Sequence, residues 1–160
     1  PELPNATLNC GGDLLLRSAE AARGRYQDKG VDLTLDLGET DGLSVNVDPN
    51  RIGQVLGNLL ANSLRHTPPG GHVTISGRPQ PQGAVITVAD DGDGIPADQL
   101  THVFERFYRG DTARSRESSG SGIGLTISKA IVDAHGGTIG VVSDGSGRGA
   151  VFNIVLPRAA

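Results

Sequence analysis

The chain has 160 residues, room for one domain and little else. Fourteen basic against eighteen acidic side chains leave a net charge of −4, which argues against a nucleic-acid phosphate backbone as the main partner. A single cysteine, Cys10, excludes an internal disulfide framework and a Cys-based zinc site, and no apolar run reaches the ~18 residues of a membrane span.

With three Phe, two Tyr and neither Trp nor Met, the core must be built from Leu, Ile, Val and Ala. The 24 glycines amount to about twice the usual share of roughly 7%. Nine of them fall between Gly120 and Gly149, where they can shape loops for a ligand. These traits predict one soluble, cytosolic domain. Because the first residue is Pro, the chain is expected to be cut from a longer protein, with residues 1–8 a linker remnant and no signal peptide.

From about Asn9 to Lys29, the stripe Leu15, Ala19, Ala22, Tyr26 predicts an amphipathic helix ended by Gly30. Val31–Leu37 and Leu43–Val47 alternate with period two and read as half-buried strands. Asp48-Pro49 predicts a helix start, with Asp as N-cap. The stripe Ile52, Val55, Leu56, Leu59, Leu60, Leu64 follows, and Thr67-Pro-Pro-Gly-Gly71 ends it. Two strands, His72–Arg78 and Ala84–Ala89, lead to Asp90-Asp-Gly-Asp-Gly94. A short helix is expected from Pro96 to Tyr108, then a polar loop over 109–120. Ile123, Ile127, Ala130, Ile131 and Ala134 mark a last helix stopped by Gly136-Gly137, before strands at Thr138–Ser143 and Ala150–Leu156. Strands arriving in adjacent pairs predict an α+β fold, a mixed and mostly antiparallel sheet covered on one face by helices.

Four constellations could carry chemistry. Asn58 and Asn62 lie one turn apart on the helix after Pro49, with Arg65 near the same face. Asparagine is a poor mid-helix residue, and its carbonyl oxygen can ligate a hard cation such as Mg²⁺. The pair also reads as solvated polar residues at a helix edge. Asp90 ends a strand before closely spaced Gly92 and Gly94, so a carboxylate could meet an exocyclic amine where backbone can approach a flat ligand. Alone, that stretch is equally an ordinary Asp-Gly turn, and it lacks the spacing of a calcium loop. Gly120-Ser-Gly-Ile-Gly-Leu125 opens a helix and could cradle an anion, but fits neither a P-loop nor a dinucleotide fingerprint. Phe104-Glu-Arg-Phe-Tyr-Arg109 precedes an Arg-rich stretch that suits a mobile lid over phosphates, or a solvated basic loop. His66, His72, His102 and His135 show no metal-ligand spacing.

Taken in this order, the Asn-bearing helix, D-x-G-x-G, F-x-x-F-Y-R and G-x-G-x-G-L resemble the N box, glycine boxes and F box of bacterial sensor histidine kinases. The match runs from about residue 5 to Pro157. The chain is similar to the catalytic ATP-binding domain of such kinases, in a superfamily shared with gyrase, mismatch-repair ATPases and heat-shock chaperones. The resemblance implies a Bergerat-type α/β sandwich with a mobile ATP lid. Asp90 would bind the adenine amine in a pocket shaped by Gly92, Gly94 and Ile95, and Asn62 would ligate Mg²⁺. Asn58, Arg65 and His66 would line the phosphate side, with Asn58 at the position of a catalytic residue. Arg106, Phe107 and Arg109 would form the base of the lid, the two arginines in a catalytic role. Gly120, Ser121, Gly122, Ile123, Gly124 and Leu125 would hold the phosphates. The last strand departs from the family's Gly-Thr-x-Phe, reading Gly149-Ala-Val-Phe152.

The implied activity is transfer of the γ-phosphoryl group of ATP to a histidine on a separate dimerisation domain, with a response regulator downstream. The parent would be a homodimeric inner-membrane sensor, and this domain a cytoplasmic monomer without direct membrane or nucleic-acid contact. An ATP-hydrolysing clamp of the same fold is the alternative, as is a nucleotide-binding module without transfer. Position 58 discriminates. The clamps carry a glutamate there to activate water, and Asn58 has no basic lone pair at neutral pH.

Overall fold

The computed structural model describes residues 6–8, 11–37, 45–81, 83–100, 102–105, 121–145 and 147–157. In chain order these form β1 (Ala6–Leu8), α1 (Gly11–Lys29), β2 (Asp32–Asp36), β3 (Val45–Val47), α2 (Pro49–His66), β4 (His72–Gln80), β5 (Gly83–Asp90), α3 (Ala97–Leu100), α4 (Ser121–Ala134), β6 (Thr138–Val142) and β7 (Ala150–Pro157). A five-stranded sheet runs β2-β4-β5-β7-β6, with β2 parallel to β4 and every other pair antiparallel. Helices α1, α2 and α4 pack side by side over it. The architecture is the expected α+β sandwich.

The core between the layers is almost wholly aliphatic, and among the described residues its fully buried aromatic side chains are Tyr26 and Phe152. Leu15, Ala19, Ala22 and Tyr26 of α1 are buried, as are Ile52, Val55, Leu56, Leu59 and Leu60 of α2. They meet the inward residues of β7, whose alternation puts Ala150, Phe152, Ile154 and Leu156 on one face. Asp48 caps α2, its carboxylate accepting from the N–H groups of Asn50 at 3.0 Å and Arg51 at 3.4 Å. Gly136, at φ +75°, ends α4 in a Schellman turn: its N–H donates to the Asp133 carbonyl and that of Gly137 to the Val132 carbonyl.

Several elements differ from expectation. Residues 6–8, expected as linker, form β1, which pairs antiparallel with β3 in a separate two-stranded sheet. The strands β2 and β3 therefore do not pair with each other. A crossover containing α2 instead returns the chain to lie parallel beside β2. Of the helix expected from Pro96 to Tyr108, the described residues are helical over Ala97–Leu100, and 102–105 form turns and a bend. Phe104 packs its ring edge-on to Phe152, centroids 6.3 Å apart, while the Thr126 hydroxyl donates to its carbonyl at 3.2 Å. Those contacts take Phe104 out of a helical ladder. The loop and mobile lid expected over 109–120 lie outside the described residues.

The buried face of α4 is also rotated from the expected stripe. Leu125, Ser128, Ile131, Val132 and His135 turn inward, while Ile127 is 37% exposed and Ala130 and Ala134 face solvent. Two polar residues complete this inner face because each finds partners there. Among the described residues no helix is long and apolar enough to cross a membrane.

Candidate functional site

The C-terminal half of α2, the end of β5 and the first turns of α4 converge at one end of the helical layer. Asn58 is half-buried, and its amide Nδ2 lies 3.3 Å from both the Gly124 carbonyl and the Ser128 hydroxyl. Its amide therefore ties α2 to α4. One turn on, Asn62 is 7% exposed, and its side chain makes no hydrogen bond among the described residues. A buried carboxamide with no partner among the described residues can serve a ligand.

Arg65 and His66 end α2. The Arg65 Nη1 is buried with no hydrogen-bond partner among the described residues, and burial holds its guanidinium below the ordinary arginine range. His66 is pushed below the ordinary histidine value by burial and by neighbouring Arg65, against the opposing pull of Asp93 and Asp90. Lys29 of α1 closes this helix end, its ammonium 2.6 Å from the Leu64 carbonyl and 3.3 Å from that of Arg65. Tyr26 donates to the Leu60 carbonyl at 2.6 Å, and burial, with the Asp90 charge, holds its phenol far above the ordinary value.

Asp90 ends β5, facing α2. Burial raises its carboxyl above the ordinary carboxylate range, against backbone N–H groups of Gly92 and Ala150 that favour the ionised form. The Gly92 N–H reaches Asp90 Oδ1 at 3.0 Å. Ser63, fully buried on α2, sets its hydroxyl near enough to favour the Asp90 carboxylate, though its Oγ meets no partner in full hydrogen-bonding geometry among the described residues. Ser63 escaped sequence reasoning. The signal was there: it continues the apolar stripe four residues after Leu59, where a hydroxyl has no packing reason to be.

Gly92 and Gly94 were expected to let backbone approach a ligand, and the structure gives them another reason. A Cβ at Gly92 would collide with the His66 carbonyl, and one at Gly94, which has φ +72°, with the Gly145 carbonyl. Both are glycine so that backbone can close on backbone. Ile95 packs partly buried against the core, its N–H bonded to Ser143. Ser121, Gly122, Ile123 and Gly124 stand in the first turn of α4, whose N–H groups have no intrahelical acceptors and which carries no acidic residue there. Leu125, grouped with them from sequence, instead turns its side chain into the core at 8% exposure. Arg106, Phe107, Arg109 and Gly120 lie outside the described residues.

The other histidines have partners of their own. His72 sits between Asp91, 3.0 Å away, and Asp32, 3.5 Å away. His102 pairs with Glu105 at 2.8 Å. Among the described residues no group of three or more His, Cys, Asp or Glu side chains could hold a metal ion.

The sequence and the fold both have close counterparts. Sensor histidine kinase WalK of Bacillus subtilis is 41% identical over 133 residues, 82% of this chain and 21% of its own length. The chain spans between about a fifth and a little over a quarter of the length of curated relatives that it matches. The mycobacterial sensor histidine kinase MprB superposes with a TM-score of 0.80 at 31% identity, covering 96% of this chain and 98% of that one. Full-length ShkA, in complex with AMPPNP, superposes at 0.84 with 28% identity over 100% of this chain and 32% of its own. The histidine kinase-, DNA gyrase B- and HSP90-like ATPase profile matches residues 47–160. The chain thus belongs to that ATPase family, as the catalytic domain of a sensor histidine kinase.

Proposed function

We propose that this chain binds Mg-ATP and donates its γ-phosphoryl group to a histidine on a separate dimerisation domain. One observation carries the reading: the half-buried Asp90 carboxyl lies beside the buried Ser63 hydroxyl of α2, the helix that also bears the buried Asn62 and an Arg65 whose Nη1 has no hydrogen-bond partner among the described residues. The AMPPNP bound by ShkA supports an adenine nucleotide as the occupant. Asp90 accepts a hydrogen bond from the adenine exocyclic amine, in the pocket bordered by Gly92, Gly94 and Ile95. The N–H groups at the start of α4, over 121–124, receive phosphate oxygens, with Arg65 and His66 on the same side. The buried Asn62 carboxamide fits a magnesium ion, which favours oxygen donors and whose charge offsets that of the phosphates when bound. Arg106, Phe107 and Arg109 belong to the lid base in this reading.

Asn58 separates transfer from hydrolysis. Its carboxamide cannot take a proton from water, and its amide is committed to Gly124 and Ser128. In this reading the nucleophile comes from outside. A nitrogen of the acceptor imidazole bonds to the γ-phosphorus as the bond to the β–γ bridging oxygen breaks, and ADP leaves. The parent is a homodimeric membrane sensor passing the phosphoryl group to a response regulator, with this domain on the cytoplasmic side.

Calorimetric titration with ATP, with and without magnesium, tests the site. Wild-type affinity should rise on the order of tenfold with the metal, and Asn62→Ala should lose most of that gain. Affinity indifferent to magnesium in the wild type, or an undiminished gain in the folded variant, would remove Asn62 from the proposed role.

A further inference from the structure

We infer that Ser143 is a positioning residue for base selectivity, its hydroxyl clasping the Asp90–Ile95 loop to the turn between β6 and β7. The inference rests on the adenine-site reading above and deepens it. A serine hydroxyl can donate once and accept twice. Ser143 Oγ uses all three capacities on backbone. It accepts from the N–H of Ile95 at 3.0 Å and of Gly145 at 3.3 Å, and donates to the Gly149 carbonyl at 2.7 Å. The Gly145 carbonyl, at 3.4 Å, is the alternative acceptor.

Two further ties join the same segments, and both are backbone to backbone. The Gly147 N–H donates to the Asp93 carbonyl at 2.5 Å and the Gly149 N–H to the Gly92 carbonyl at 3.1 Å. They exist only while the turn keeps its shape, with Gly145, Gly147 and Gly149 at φ +118°, +80° and +71°. Ser143 spans the base of that turn by holding Gly145 and Gly149 together. A Cβ at Gly149 would strike the Asp90 carbonyl, so the turn presses directly on the residue that reads the base.

The other supports of the loop come from elsewhere: the Asp93 N–H donates to the His66 carbonyl at 2.9 Å, and Asp91 binds the His72 N–H at 2.8 Å. Without the hydroxyl, the β6–β7 side would loosen while the α2 and β4 sides stayed fixed. The Asp90 carboxyl is oriented by the Gly92 N–H inside this loop, so its aim would blur. Among the described residues, the hydrogen bonds of Ser143 reach Ile95, Gly145 and Gly149 and none goes to α2 or α4, where the phosphates are proposed to lie. Base discrimination should suffer more than phosphate binding.

The test measures the dissociation constants of Mg-ATP and Mg-GTP for wild type, Ser143→Ala and Ser143→Thr. The wild type should prefer ATP. Ser143→Ala should lose about tenfold of that preference, chiefly through weaker ATP binding, and Ser143→Thr, which keeps the hydroxyl, should restore it. Equal weakening of both nucleotides, or an unchanged preference in Ser143→Ala, would overturn the clasp. A wild type that does not discriminate ATP from GTP would instead refute the adenine-site reading. Should Ser143→Ala not fold, amide exchange in the wild type decides: slow exchange at Ile95 and Gly145 supports the clasp, and exchange at open-coil rates overturns it.

Discussion

Asp90 holds a charge where the fold would prefer none, since burial raises its carboxyl above the ordinary 3.8. A raised folded pKa means that the stabilising contribution is present at low pH and is lost as pH rises through that value. Asp90→Asn keeps the shape and an acceptor for the Gly92 N–H but removes the charge. Without nucleotide the variant should match wild type near about pH 3 and melt at a higher temperature near about pH 7. The same substitution should weaken ATP binding by about 1.5–3 kcal/mol, the usual loss of a hydrogen bond to a charged group. Melting scans across that range and calorimetry read the two effects. A nucleotide-free variant less stable than wild type at neutral pH would contradict the burial argument. His66 works in the opposite sense: its lowered pKa stabilises the fold above about pH 6.5 and ceases to as pH falls through the folded value.

Helices α2 and α4 run antiparallel, tied at two points around an apolar seam. Asn58 reaches Gly124 and Ser128 near the start of α4. At its far end His135 is 9% exposed, with Nδ1 2.8 Å from the Ile131 carbonyl. That contact makes Nδ1 the donor, leaving Nε2 to accept from the Asp48 N–H at 3.1 Å. His135→Leu should orphan this buried N–H and cost about 1–3 kcal/mol, read as a lower denaturant midpoint at unchanged slope. An unaltered midpoint would show that the tie carries no energy. These helices also show what a sequence discloses. The start of α2 was legible because Asp48-Pro49 and the Leu-rich stripe act locally. The face of α4 was not, because Ser128 and His135 become inward residues only once Asn58 and Asp48 come to meet them. Gly92 and Gly94 stood out as glycines, but their reason lay in His66 and Gly145, remote in the chain.

At the scale of the whole molecule, the fold class was readable from alternating strands and two strong helical stripes. The strand order was not. Hairpins β4–β5 and β6–β7 follow from proximity in the chain, whereas the parallel pairing of β2 with β4 depends on a crossover. The three-residue β1 is too short to show periodicity, and it pairs only because β3 offers Val45–Val47 as a partner. In the proposed reading, Asn62, Asp90 and the start of α4 surround one nucleotide and the nucleophile is supplied by another domain. The most direct measurement incubates γ-labelled Mg-ATP with this chain alone, then with the dimerisation domain of the same parent. Alone, the chain should neither label itself nor release phosphate quickly. With the partner present, label should appear on the partner as an acid-labile, base-stable phosphohistidine. Rapid release of free phosphate by the isolated chain, or no transfer to the partner, would contradict the account.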